Sequence, residues 1–120
     1  MYCLDTYALW EIQFENPKYL PLLSKTFVIT KWTLIEFYKT LRREFSKEIA
    51  EYWVNKLLPF AVDVKIETLT KAVEFQLEMK KLNISLFDAI GYIYSIDNKL
   101  KFVTGDKAFK GLKDVLFISK

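Results

Sequence analysis

The chain has 120 residues, with 18 Lys and Arg against 15 Asp and Glu, one Cys and no His. Its length suits one domain around a single core, and 52% apolar with 17% aromatic residues excludes a disordered chain. Cys and His are too few for a structural zinc site, a Ser-His-Asp triad or a Cys-His pair, so chemistry falls to carboxylates, hydroxyls, lysines and a hard metal.

Three Gly and three Pro leave no linker or low-complexity stretch, and there is no internal repeat. The first residues, Met1-Tyr2-Cys3-Leu4-Asp5, lack the basic start and apolar run of a signal peptide. Nothing approaches the ~18 uninterrupted apolar residues of a membrane span. The expectation is a cytoplasmic protein with no membrane partner. The net charge of +3 is uneven: Lys39, Arg42, Arg43 and Lys47 are opposed only by Glu44, and lysines crowd the stretch from Lys99 to Lys120. Clustered base suits a phosphate backbone, although a solvated surface explains the same charges.

In chain order, residues 2–5 read as an apolar strand ending on Asp5. An acid at a strand-to-helix junction is either an N-cap or part of a site. Residues 6–16 follow as a helix with Tyr7, Trp10 and Phe14 on one stripe, interrupted by Pro17. Residues 27–30 form a second strand. The helix over 32–45 carries Leu34, Tyr38, Leu41 and Phe45 at helical spacing. Glu36 lies opposite that stripe, yet Ile35 and Phe37 flank it and Arg43 shares its face. Solvent exposure and the wall of a polar crevice both fit.

Residues 46–58 stack Ile49, Ala50, Trp53, Val54, Leu57 and Leu58 as a further helix, closed by Pro59. A third strand over 61–64 and a helix over 66–82 follow. Ser85 opens the helix over 86–99, with Asp88 placed to reach back as in a capping box. Leu86, Ala89, Ile90 and Ile93 line its expected buried side, and Gly91 and Ser95 share the stripe of Asp88. Gly inside a helix costs roughly 1 kcal/mol relative to Ala, so close packing or room beside a carboxylate must account for Gly91. A fourth strand, 102–104, stops at Gly105 and Asp106, where Asp106 caps the next turn or joins a site. Residues 115–118 make a fifth strand. The remaining acids, Glu11 among them, read as helix surface.

Strands that are continuously apolar and alternate with helices imply a single α/β domain, with a parallel sheet covered by helices on both faces. In such sheets function gathers at the carboxyl ends of the strands, where strand order reverses. If the first and fourth strands are neighbours there, Asp5 and Asp106 face one crevice.

The order of these signals resembles the PIN-domain nuclease family, in particular VapC-like toxins of toxin–antitoxin pairs. The resemblance runs the length of the chain. It rests on LDTYAL at 4–9, TLIEF at 33–37, ISLFDAI at 84–90 and FVTGDKAF at 102–109. It implies a PIN-like sheet in the order 3-2-1-4-5, and a metal-dependent endoribonuclease that hydrolyses RNA phosphodiester bonds. Carried over residue by residue, the family's acids look like Asp5, Glu36, Asp88 and Asp106, ligands for Mg²⁺ or Mn²⁺. Thr6 and Thr104 are the hydroxyls beside them, with Thr104 orienting a ligand or water. Lys39, Arg42, Arg43 and Lys107 are candidates for holding RNA phosphates. An antitoxin and a homodimer are the expected protein partners. Tyr7 departs from the small polar residue that relatives often carry after Asp-Thr.

Other readings remain. One is a PIN-like module that binds RNA or protein without cutting, and an RNA-processing nuclease with no antitoxin has the same chemistry. A phospho-accepting receiver domain requires an acidic pair after the first strand and a Lys after the fifth. Asp5 stands alone there, Asp63 is an incomplete acceptor, and the only late Lys is Lys120.

Overall fold

A computed structural model of the chain describes residues 1–119, and Lys120, part of the basic stretch noted above, lies outside them. The strands are β1 (Tyr2–Leu4), β2 (Phe27–Thr30), β3 (Ala61–Val62), β4 (Lys101–Thr104) and β5 (Val115–Phe117). The helices are α1 (Thr6–Gln13), α2 (Lys31–Glu44), α3 (Lys47–Leu57), α4 (Ile66–Glu78) and α5 (Leu86–Asp97). All strand pairs are parallel and the order is β3-β2-β1-β4-β5, as the resemblance implied. No helix among the described residues is long and apolar enough to cross a membrane.

Successive side chains of a strand point to opposite faces, and the central strands supply both cores. Leu4 and Val103 pack with α1, α2 and α3 on one face. Cys3 and Phe102 pack with α4 and α5 on the other. That double burial is why these strands read as continuous apolar runs. Gly91 serves packing: a Cβ there would stand 2.9 Å from Phe102 Cε1, so its absence lets α5 settle onto β4.

Register brings the site together. Leu4 pairs with Val103, and the Asp5 N–H donates to the Val103 carbonyl at 3.2 Å. The ends of β1 and β4 are therefore level at the switch point of the sheet. Three helices begin around this end with side-chain caps. Ala8 N–H donates to Asp5, Thr33 N–H to Thr30 and Asp88 N–H to Ser85.

Helix phase differs from the sequence pattern in several places. α1 buries Ala8, Leu9, Glu11 and Ile12 rather than Tyr7, Trp10 and Phe14. Its start is tied to β1 through Asp5, and this phase sets small and branched side chains against the sheet and the large rings at the rim. Glu11 is thus no surface acid: it is 4% exposed and accepts a 2.9 Å bond from Asn16 Nδ2. In α2, Phe37 joins Leu34 and Leu41 in the core, while Phe45 is exposed. Leu86 is exposed as well, because α5 turns Ala89, Ile90 and Tyr92 inward. β3 is shorter than expected. Beyond Val62 the chain leaves the sheet at Asp63, which pairs with Lys31 at 2.8 Å.

Candidate active site at the carboxyl ends of the strands

Asp5 is the first residue past β1 and is 1% exposed. Its Oδ1 accepts the Ala8 N–H at 2.8 Å and caps α1. Its Oδ2 is buried without a hydrogen-bond partner. The Thr104 hydroxyl lies near this carboxyl but leaves Oδ2 unpaired. Asp106 follows β4 after Gly105. Its N–H donates to Thr104 Oγ1 at 3.0 Å, and its Oδ1 accepts the Ala108 N–H at 3.0 Å, capping the short turn Lys107–Phe109. Asp88 stands in the first turn of α5 beside the Ser85 hydroxyl. Glu36 lies on α2, half-buried, and its Oε1 accepts the hydroxyl hydrogen of Thr6.

Glu36, Asp88 and Asp106 line one cavity of about 360 Å³, together with Thr6, Tyr7, Trp10 and Thr40. Glu36 therefore forms the wall of a crevice rather than a free surface. Asp5 is buried next to these acids, as its electrostatics show. Desolvation lifts its carboxyl well above the usual range, with repulsion from Asp88 next in weight; the Thr104 hydroxyl and Ala8 N–H partly oppose this, and Asp106 adds further repulsion. Asp88 is pushed up to about 7, by desolvation first and then by the charge of Glu36, with Ser85 pulling down and Asp106 pushing up. Asp5 and Asp88 therefore keep their protons to higher pH than an ordinary Asp does.

The donor set is oxygen only, which suits hard cations such as Mg²⁺ or Mn²⁺. The Oδ2 of Asp5 is a buried carboxylate oxygen with no hydrogen-bond partner in the fold. Among the described residues, however, no three Asp, Glu, Cys or His side chains are gathered tightly enough to ligate one ion together. Caps and the Thr6 bond hold an oxygen each of Asp5, Asp106 and Glu36, and like charges keep apart. That spacing still fits Mg²⁺, which keeps several waters and commonly takes only one or two carboxylates directly.

The basic residues stay outside. Lys39, Arg42, Arg43 and Lys107 are exposed and none lines the cavity. Arg43 turns to its neighbour Glu44 at 3.2 Å instead of towards Glu36. A larger cleft of about 540 Å³ between α4 and α5 includes Lys71 and Asp97, which pair with each other at 3.3 Å, so its polar groups are largely committed.

Of the other residues near the site, the sequence placed Trp10 on the stripe of α1 and Thr40 near Glu36, and only Tyr19 escaped it. Trp10 and Thr40 line the cavity, and the buried Tyr19 donates its hydroxyl to the Ile118 carbonyl at 2.6 Å while its ring stands 6.3 Å from that of Tyr7. Tyr19 belongs to an irregular segment between α1 and β2, where no periodicity marks a buried position.

No protein-family model matches the chain, and no curated protein matches it in sequence. Solved structures do match over nearly the full length. A toxin–antitoxin complex from Klebsiella pneumoniae is 16% identical, with 100% of each chain covered and a TM-score of 0.78. VapC20 from Mycobacterium tuberculosis, described as a sarcin-ricin loop cleaving toxin, is 12% identical over 92% of each chain, with a TM-score of 0.77. VapBC2 from Rickettsia felis, bound to a DNA fragment from its promoter, is 17% identical over 98% of this chain and 97% of that one, with a TM-score of 0.71. At such identities the likeness establishes the architecture: the chain has the PIN-like α/β fold of these VapC and VapBC structures.

Proposed function

We propose that the chain is a Mg²⁺- or Mn²⁺-dependent endoribonuclease that hydrolyses RNA phosphodiester bonds, and that it is the toxin of a toxin–antitoxin pair. One observation carries the reading: Glu36, Asp88 and Asp106 open into one cavity at the switch point of the sheet, beside a buried Asp5 whose Oδ2 lacks a partner. The toxin and toxin–antitoxin structures with the same fold support it.

Asp5, Asp88 and Asp106 would hold the cation, directly or through water, and Glu36 would complete the acidic wall. The cation would neutralise the crowded carboxylates and stabilise the charge that builds on the scissile phosphate. Thr104 positions Asp106 by accepting its N–H, and Thr6 fixes the rotamer of Glu36. Lys39, Arg42, Arg43 and Lys107, free of the acidic wall, are suited to flanking phosphates. Purified protein should cut single-stranded RNA with Mn²⁺ or Mg²⁺ and stop with EDTA. RNA bound but uncut would make it a binding module, and cleavage that survives chelation would remove the cation from the mechanism.

The partners follow from apolar surface. A groove of about 530 Å³ beside α1 and α3, lined by Leu9, Ile12, Leu23, Trp53 and Phe60 among others, suits an antitoxin segment. Phe14 and Phe45, 53% and 44% exposed, lie with Trp10 in an aromatic cluster at the rim. With Ile49, Tyr52 and Leu58 exposed on and after α3, this surface exceeds what scattered exposure explains, and a homodimer is expected. Sedimentation at micromolar concentration checks it: a monomer there would exclude a stable dimer.

A further inference from the structure

The cavity has a second wall that the carboxylate chemistry does not use. Tyr7 and Trp10, one turn apart on α1, face the same space as Glu36, Asp88 and Asp106. Both rings are only partly buried, packed against the edge of a core that α1 fills with Ala8, Leu9 and Ile12. Both rings are nevertheless held in place. Trp10 is braced edge-on by Phe14 at 5.0 Å and stacked by Phe45 at 5.9 Å. Tyr7 lies over the chain at Gly105, so closely that a Cβ there would come within 2.1 Å of its Cε1.

Resting on the nuclease reading above, we propose that Tyr7 and Trp10 form a stacking platform for unpaired bases and so select single-stranded RNA for this site. Among the described residues no Lys or Arg lines the cavity, so an entering strand gains no ion pair from them there, and its phosphates meet acids. An aromatic face offers attraction that does not depend on charge. A base can reach such a face only when it is splayed out of a helix, because paired bases in A-form RNA are covered by their own neighbours. Stacking on aromatic rings is tolerant of base identity, and removal of one ring typically weakens binding about 5- to 100-fold. Rings already braced by Phe14, Phe45 and the Gly105 backbone lose little freedom on binding.

The test uses the full chain in millimolar Ca²⁺, an oxygen-seeking cation, and a labelled single-stranded oligoadenylate of about ten nucleotides. A ribose-phosphate oligomer of the same length, abasic throughout, is the second probe. Tyr7→Ala and Trp10→Ala should each weaken oligoadenylate binding about 10-fold, and Tyr7→Phe should bind nearly as the wild type does. The abasic oligomer should bind all four proteins equally, a pattern that loss of fold in one variant would not reproduce. Wild type that fails to bind, variants that bind oligoadenylate undiminished, or equal losses on both probes in both Ala variants would overturn the platform. Cleavage with Mn²⁺ is read separately. Wild type that stacks bases but cuts nothing would end the nuclease reading alone, and wild type that cuts while the Ala variants bind unchanged would end this one alone.

Discussion

Asp88→Asn is expected to reduce metal-dependent RNA cleavage by about 100-fold or more while leaving the fold intact. Changes to groups that only support a metal ligand already cost about 10- to 100-fold in affinity or activity, so loss of a ligand should cost at least as much. The substitution keeps the size of the side chain and removes a charge. In the metal-free protein that charge is unwelcome, since burial and the neighbouring Glu36 and Asp106 all act against it. Stability of the metal-free protein should therefore hold at about pH 5 and rise relative to wild type towards pH 7. Initial rates on single-stranded RNA with saturating Mn²⁺, set beside thermal melts of the same preparations, measure both halves. Cleavage within a few-fold of wild type would leave Asp88 as a helix-start residue and nothing more.

The second large effect is on pH. In the unfolded chain an Asp ionises near 3.8, whereas in the fold Asp88 holds its proton to about 7 and Asp5 is raised as well. Between those values the native state binds more protons than the unfolded state, so rising pH favours unfolding. The stabilisation is fully present below the unfolded value and is lost as pH climbs through the folded one. Each unit of separation is worth ~1.4 kcal/mol, so Asp88 alone should remove roughly 2–3 kcal/mol between about pH 5 and pH 7. That corresponds to a fall in Tm on the order of 10 °C for a domain of this size. EDTA-treated protein melted across that range should show the fall, and Asp88→Asn should flatten it. Saturating Mn²⁺ should reverse the trend, because a cation competes with protons for the same oxygens. Flat stability in EDTA would mean that the acids are neither crowded nor desolvated.

The strands were legible because both of their faces are buried, which leaves an uninterrupted apolar run as their signature. Strand order was not legible in any local pattern and came from the resemblance, which the observed topology matches. The candidate acids were legible as positions but ambiguous as roles. Asp5 and Asp106 each cap a turn with one oxygen, so the capping reading is correct for both and still leaves a second oxygen for other work. Helix phase was the weakest point. Spacing alone grouped Tyr7, Trp10 and Phe14, but the junction with β1 decides which side of α1 meets the sheet. It sends those rings to the rim and Glu11 inward. Glu36 could not be resolved on a wheel because a cavity wall at the edge of a helix face is neither core nor solvent.

Mn²⁺ binding followed by electron paramagnetic resonance at about pH 7.5 tests most directly whether these carboxylates hold a divalent cation. Wild type should take Mn²⁺ out of its free signal with release of protons and a rise in Tm, since a ligand that binds only the native state stabilises it. Asp88→Asn and Asp106→Asn should each lose most of that uptake and most of the Tm shift. Wild type that leaves the free Mn²⁺ signal unchanged, or variants that bind Mn²⁺ as the wild type does, would contradict the account.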